Sequence, residues 1–231
     1  GRKISPKSTA LASITGGKKM NFTSAAGHML NHLDRYRHKF TPVYNFTDVS
    51  YYVDHENASK DHLMFLGRVE DIKGVREAID VALKTNIKLV IAGNIQPGHE
   101  TWFDEYVKPF LTNPLIEYVG PVDNERKRHL LQRSKALLFP IKWEEPFGIV
   151  MIEAMACSTP VIGFRRGSVP EVIGEEVSGY IVENTDEMVS AVGKIDKINR
   201  KAVRSYCAER FASDIIASQY LALFEKILAK Q

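Results

Sequence analysis

The sequence predicts an α/β protein built on a parallel sheet, and three observations predict it. Short apolar runs ending at glycine alternate with segments whose apolar residues recur at helical spacing, the pattern of strand–helix repeats. Runs such as Leu63-Met64-Phe65-Leu66 show no polar alternation, so both faces of the sheet are covered and three layers result. The 231 residues, 44% hydrophobic and 26% charged, supply an ordinary globular core.

Each element follows from its residues. Met20 to Thr23 reads as a short strand, and Ser24 is placed to cap a helix to about Arg37, with Leu30 and Leu33 on one face. Thr41-Pro42 ends that helix, because the residue before proline avoids helical geometry. Residues 44–60 hold mostly polar, aromatic and turn residues and read as a linker. The regular pattern then starts, with strands at 63–66, 87–92, 116–119, 136–139, 160–163 and 179–182. Between them, Lys73 to Lys84 places Val75, Ile79, Ala82 and Leu83 at helical spacing. Thr101 to Phe110 and Gly148 to Ala156 also read as helices, and Asp123 caps a charged one to about Ser134. A terminal helix from Ser213 to Lys230 carries Ile216, Tyr220, Leu223, Phe224 and Ile227 on its apolar face.

Several functions are excluded or set aside. With 31 basic and 28 acidic residues the net charge is +3, without the dense basic stripe of a nucleic-acid binder. Arg126-Lys127-Arg128 reads as a solvated helix face. No apolar run approaches the roughly 18 residues of a membrane span. The opening GRKISPKSTA lacks the apolar core of a secretory signal, so a cytoplasmic protein is expected. Cys157 and Cys207 form no CxxC pair and read as buried free thiols. His28 and His32 lack a third ligand and read as surface imidazoles, and Gly16-Gly17-Lys18-Lys19 lacks the leading glycine of a phosphate loop. Three Asn-x-Ser/Thr acceptors, at Asn21, Asn45 and Asn57, read as accidental.

Open parallel sheets bind ligands outside the carboxyl ends of their strands, and three segments fall there. Gly67 to Gly74 follows a strand and opens a helix, and its Arg68 and Lys73 suit an anion or are solvated loop charges. Trp143 to Glu153 contains Glu145 and Glu153, eight apart; Pro146 and Gly148 between them let backbone approach a ligand, with free N–H groups at the next helix start. Glu153 sits among apolar neighbours and needs a partner, either a ligand or a core salt bridge. Gly163 to Glu171 carries two arginines, and its Ser168-x-x-Glu171 fits a capping box.

Together, Gly67-Arg68 with Lys73-Gly74, the E-x7-E stretch EPFGIVMIE at 145–153, and EAMACSTPVIGFRRGSVPEVI at 153–173 resemble, in order and spacing, a known family. It is glycosyltransferase family 4, retaining enzymes of the GT-B fold, and the similar part is their C-terminal donor-binding domain. The resemblance implies a Rossmann-like sheet and transfer of a sugar from a UDP- or GDP-linked donor with retention. It implies no cofactor and no metal, since the DxD metal signature is absent. Arg68 and Lys73 would neutralise the donor's pyrophosphate, and Glu145 would stand near the transferred sugar as the third catalytic residue. Glu153 would accept hydrogen bonds from the ribose hydroxyls, and Phe147, Gly148 and Ile149 would present backbone N–H groups. Gly67 and Val122 complete the implied donor-binding set, Val119 to Val122 lying near the base.

A GT-B enzyme has two such domains, and about sixty residues are too few for the first. Residues 1–45 resemble the tail of the N-terminal acceptor domain, 46–60 the linker, 61–212 the nucleotide-sugar-binding domain and 213–231 a crossover helix. The expectation is a fragment of a larger enzyme, weak or inactive alone, that self-associates or lacks its N-terminal domain. Its acceptor would be a glycan, a lipid-linked or a small molecule, with peripheral membrane contact left to the missing domain. The alternative is a non-catalytic nucleotide-binding or interaction module that keeps the half-fold.

Overall fold

A computed structural model describes residues 22–31, 37–55 and 58–229. Its body is a six-stranded sheet, β3 (His62–Leu66), β4 (Lys88–Ala92), β5 (Ile116–Gly120), β6 (Ser134–Phe139), β7 (Val161–Phe164) and β8 (Gly179–Val182). Every neighbouring pair is parallel, in the order β5-β4-β3-β6-β7-β8. All five residues of β3 are buried, as the unbroken apolar run requires of a strand covered on both faces. Two short parallel strands, β1 (Phe22–Ser24) and β2 (Phe40–Pro42), form a separate pair.

Helices cover the sheet: α1 (Val75–Thr85), α2 (Glu100–Tyr106), α3 (Asn124–Gln132), α4 (Ile149–Ala156), α5 (Val169–Val172), α6 (Thr185–Val192), α7 (Arg200–Phe211) and α8 (Ser213–Leu228). Asp123 caps α3 as expected, its carboxylate accepting from the Arg126 N–H at 2.8 Å. The helix predicted over Thr101 to Phe110 is shortened. The α-helix stops at Tyr106 and a 3-10 turn runs over Lys108–Thr112, because Pro109 cannot continue an α-helix. Residues 183–212, for which the sequence reading names no element, hold α6 and α7, capped by Asn184 and Asn199.

Three expectations are corrected. Ser24 caps no helix; it ends β1, and residues 27–30 form a 3-10 turn whose Gly27 and His28 N–H groups are taken by the distant Glu171. The part of that predicted helix at 32–36, like Gly16 to Lys19, His32 and Asn57, lies outside the described residues. The Ser168–Glu171 capping box does not form: Ser168 donates to the Phe147 carbonyl at 2.6 Å, and Glu171 is engaged across the fold. On α8 only Ile216 is buried; Phe224 is exposed beside Leu221 and Leu228, so the apolar row is not one covered face. Both cysteines are free and fully buried, and burial pushes each thiol up to about 12.

Candidate donor site

The strand order fixes where a ligand fits. From β3 the chain steps outward through β4 to β5, then returns to lay β6 on the other side of β3. The loops leaving β3 and β6 therefore diverge, opening a crevice at their carboxyl ends. A cleft of about 350 Å³ lies there, lined by Asn45, Gly67, Arg68, Lys73, Glu145 and the stretch Phe147–Ile149, among others. Seven of the nine sequence-named residues meet in it; Glu153 and Val122 are not in its lining.

Two glycines let the loops approach. Gly74, at φ +79°, ends the β3 loop so close to the Pro140 carbonyl that a Cβ would lie 1.9 Å from its oxygen. Gly148, at φ +77°, turns the chain into α4 with no side-chain cap, which leaves the first N–H groups of that helix open toward the cleft. Phe147 anchors the turn, 2% exposed between the rings of Tyr44 and Phe211 at centroid distances of 6.0 and 5.9 Å. The Glu145 carbonyl accepts from the Ser168 N–H at 3.0 Å, tying the turn to the loop after β7.

The cleft's charges are paired, Lys73 and Glu145 with each other and Arg68 with Glu70 outside the lining. Lys73 Nζ donates to Glu145 Oε2 at 2.5 Å, and Trp143 Nε1 donates to the same oxygen at 3.0 Å. The ammonium also stands 5.1 Å from the Trp143 ring centre. Arg68, 42% exposed, is 2.8 Å from the nearly buried carboxylate of Glu70. Arg165 and Arg166 face Glu183 at 2.6 and 4.0 Å rather than the cleft.

Glu153 lies farther along α4. Its Oε1 accepts from Tyr52 at 2.8 Å and from Lys127 at 2.6 Å, and the Lys127 ammonium stands 5.3 Å from the Tyr52 ring centre. Lys127 is thus 15% exposed and ion-paired, which corrects its reading as a solvated charge. Arg128 beside it lies 4.8 Å from the ring of Tyr51. Val122 ends the β5 loop immediately before the cap of α3, the helix that carries Lys127. His28 is not a free surface imidazole; its Nδ1 is 3.4 Å from Glu171. Among the described residues, no three His, Cys, Asp or Glu side chains gather as a metal site, and no helix is long and apolar enough to cross a membrane.

This parallel sheet with a cleft at its switch point is the architecture of GT-B glycosyltransferases. Residues 54–210 match the family described as Glycosyl transferases group 1, and the chain belongs to that family. One curated relative is an N-acetyl-alpha-D-glucosaminyl L-malate synthase of Bacillus anthracis, 27% identical over 208 residues, covering 80% of this chain and 53% of that protein. The chain spans about half the length of the curated relatives it matches. The fold is shared with HepE of Anabaena, solved in complex with UDP and glucose, at TM-score 0.83 and 15% identity over 95% of this chain and 66% of that one. It is shared too with AviGT4, a glycosyltransferase involved in avilamycin A biosynthesis, at TM-score 0.77 and 26% identity over 90% and 64% of the two chains.

Proposed function

We propose that this chain binds the nucleotide-sugar donor of a retaining, metal-independent hexosyltransferase of family 4 type. The observation that carries the reading is the meeting of Arg68, Lys73, Glu145 and the open N–H groups at the start of α4 in one cleft. A pyrophosphate there meets two fixed cations and a helix N-terminus, which oppose its charge without a divalent ion. As the nucleoside diphosphate leaves, negative charge grows on its bridging oxygen, and Arg68 and Lys73 stabilise that charge. Donor binding would draw Lys73 toward phosphate and free the Glu145 carboxylate to face the sugar. Glu153 holds the ribose, and Val122 borders the base.

Transfer also needs a facing acceptor unit, since much of the rate comes from holding both substrates in near-attack contact. The acceptor and the location of the whole protein follow from that unit, so this chain alone should hold donor and turn over little of it. Calorimetry with UDP, GDP and ADP, with EDTA and then with magnesium, tests the reading. Binding of one diphosphate, unchanged by EDTA, is expected. Binding that EDTA abolishes and magnesium restores refutes metal independence, and binding of none refutes the donor site.

A further inference from the structure

The ribose seat assigned to Glu153 has a neighbour that comes from far along the chain. Tyr52 lies in the segment that leads from β2 to the sheet, 101 positions from Glu153, yet it is only 6% exposed and donates to Glu153 Oε1. Lys127 donates to the same oxygen. Both of these hydrogen bonds fall on Oε1 and restrain the carboxylate's rotation, while Oε2 takes no hydrogen bond among the described residues. The phenol is itself held in place. The Arg204 guanidinium donates to the carbonyls of Val49 at 2.6 Å, of Tyr52 at 2.5 Å and of Ala156. Gln132 donates to the Val53 carbonyl at 2.8 Å, and Asp48 closes the turn before Tyr51 by accepting three hydrogen bonds. Burial and the adjacent Glu153 charge raise the Tyr52 pKa, so it stays a hydrogen-bond donor across the working pH range.

We infer that Tyr52 is a positioning residue for nucleotide recognition: with Lys127 it locks Glu153 by Oε1 so that Oε2 is presented to the ribose hydroxyls. The inference rests on the reading of Glu153 given above. A carboxylate fixed before the ligand arrives loses less freedom on binding and discriminates more sharply for the hydroxyls it receives. Without the phenol, Glu153 keeps Lys127 but gains rotational freedom. The part of the affinity that comes from the hydroxyls then falls, while the part from phosphate and base stays.

The test measures a ratio. The dissociation constants of the preferred diphosphate among UDP, GDP and ADP and of its 2′,3′-dideoxy counterpart are determined for wild type, Tyr52→Phe, Lys127→Gln and Glu153→Gln. Melting curves report whether each variant folds. In Tyr52→Phe the preference for the ribonucleotide should fall about 3- to 10-fold, the scale of one lost hydrogen bond, with dideoxy affinity unchanged. A purely structural phenol would instead weaken both ligands together or lower only the melting temperature. If Glu153→Gln loses the preference and folded Tyr52→Phe keeps it, the inference is overturned while the ribose reading stands. If Glu153→Gln keeps the preference, the ribose reading fails and the inference with it. Should Tyr52→Phe not fold, Lys127→Gln decides on the same ratio, retention of the preference overturning the locked carboxylate.

Discussion

The two ends of the E-x7-E stretch each hold a glutamate paired to a lysine and touched by an aromatic donor, yet they are built differently. At Glu145 the partners are Lys73 and Trp143, and the pair lines an open cleft with Trp143 36% exposed. At Glu153 the partners are Lys127 and Tyr52, and both Glu153 and Tyr52 are buried. A pair that a ligand can reach is free to exchange its partners. A pair held by helix and linker, with Oε2 taking no hydrogen bond among the described residues, is a frame that still leaves one oxygen for a ligand. The contrast separates a position suited to change during a reaction from one suited to hold a ligand still.

Breaking the enclosed pair should have the largest effect. Lys127→Met leaves Glu153 with a buried charge and one neutral donor, and unfolding stability should drop by about 3 kcal/mol. Lys73→Met leaves Glu145, 13% exposed on the cleft wall, with its Trp143 hydrogen bond, and should cost less, about 1–2 kcal/mol. Denaturant melts of both variants check the ordering, and equal losses would erase the distinction between frame and exchangeable pair.

Ligand binding should separate the two carboxylates in the other direction. Glu153→Ala should weaken the nucleoside diphosphate about 10- to 150-fold, the range of a lost charge-assisted hydrogen bond pair. Glu145→Ala should leave the diphosphate within about 3-fold of wild type, since it removes no ribose contact, and lower instead the added affinity of the intact nucleotide-sugar. Calorimetry with both ligands decides. A Glu153→Ala protein that folds and binds normally would make that carboxylate structural alone.

A smaller effect sharpens the comparison from the opposite end of β3. Asp61 there is opposed by its burial but held well below the usual carboxylate range by hydrogen bonds from His62, Arg133 and Ser59. A depressed carboxylate stabilises the fold above its unfolded pKa, about 3.9, and loses that contribution as pH falls through its lower folded value. Asp61→Asn should therefore melt slightly lower than wild type at pH 7, with the difference shrinking below about pH 4. Nucleotide affinity should not move. The two thiols offer a last, qualitative check: Cys157 and Cys207, buried and held largely protonated, should resist alkylation at pH 8 until the chain unfolds.

What could be read beforehand was local. The strands announced themselves because a covered parallel sheet needs uninterrupted apolar runs, and Gly67-Arg68 and Glu145 to Ile149 fell in one cleft because strand ends put them there. Contacts between remote segments left no trace in spacing: Tyr52 and Lys127 meet Glu153 from 101 and 26 positions away. Glu171 misled for the same reason, since its local box with Ser168 lost to the Gly27 and His28 N–H groups, 144 and 143 positions distant. The helices α6 and α7 did have readable signals in Asn184 and Asn199, whose side chains cap them.

Arg204 carries a consequence for how the chain is made. Its guanidinium is the clasp on the carbonyls of Val49 and Tyr52, which leave the ribosome 155 and 152 residues before it. At about 5–20 residues per second, that interval lasts roughly 8–30 s. Through it the central strands can pair and cover themselves, while the segment bearing Tyr52 waits without its clasp. The ribose seat proposed at Glu153 is thereby completed only when α7 arrives, so a nascent chain stopped before residue 204 should carry a formed sheet and an unfinished seat.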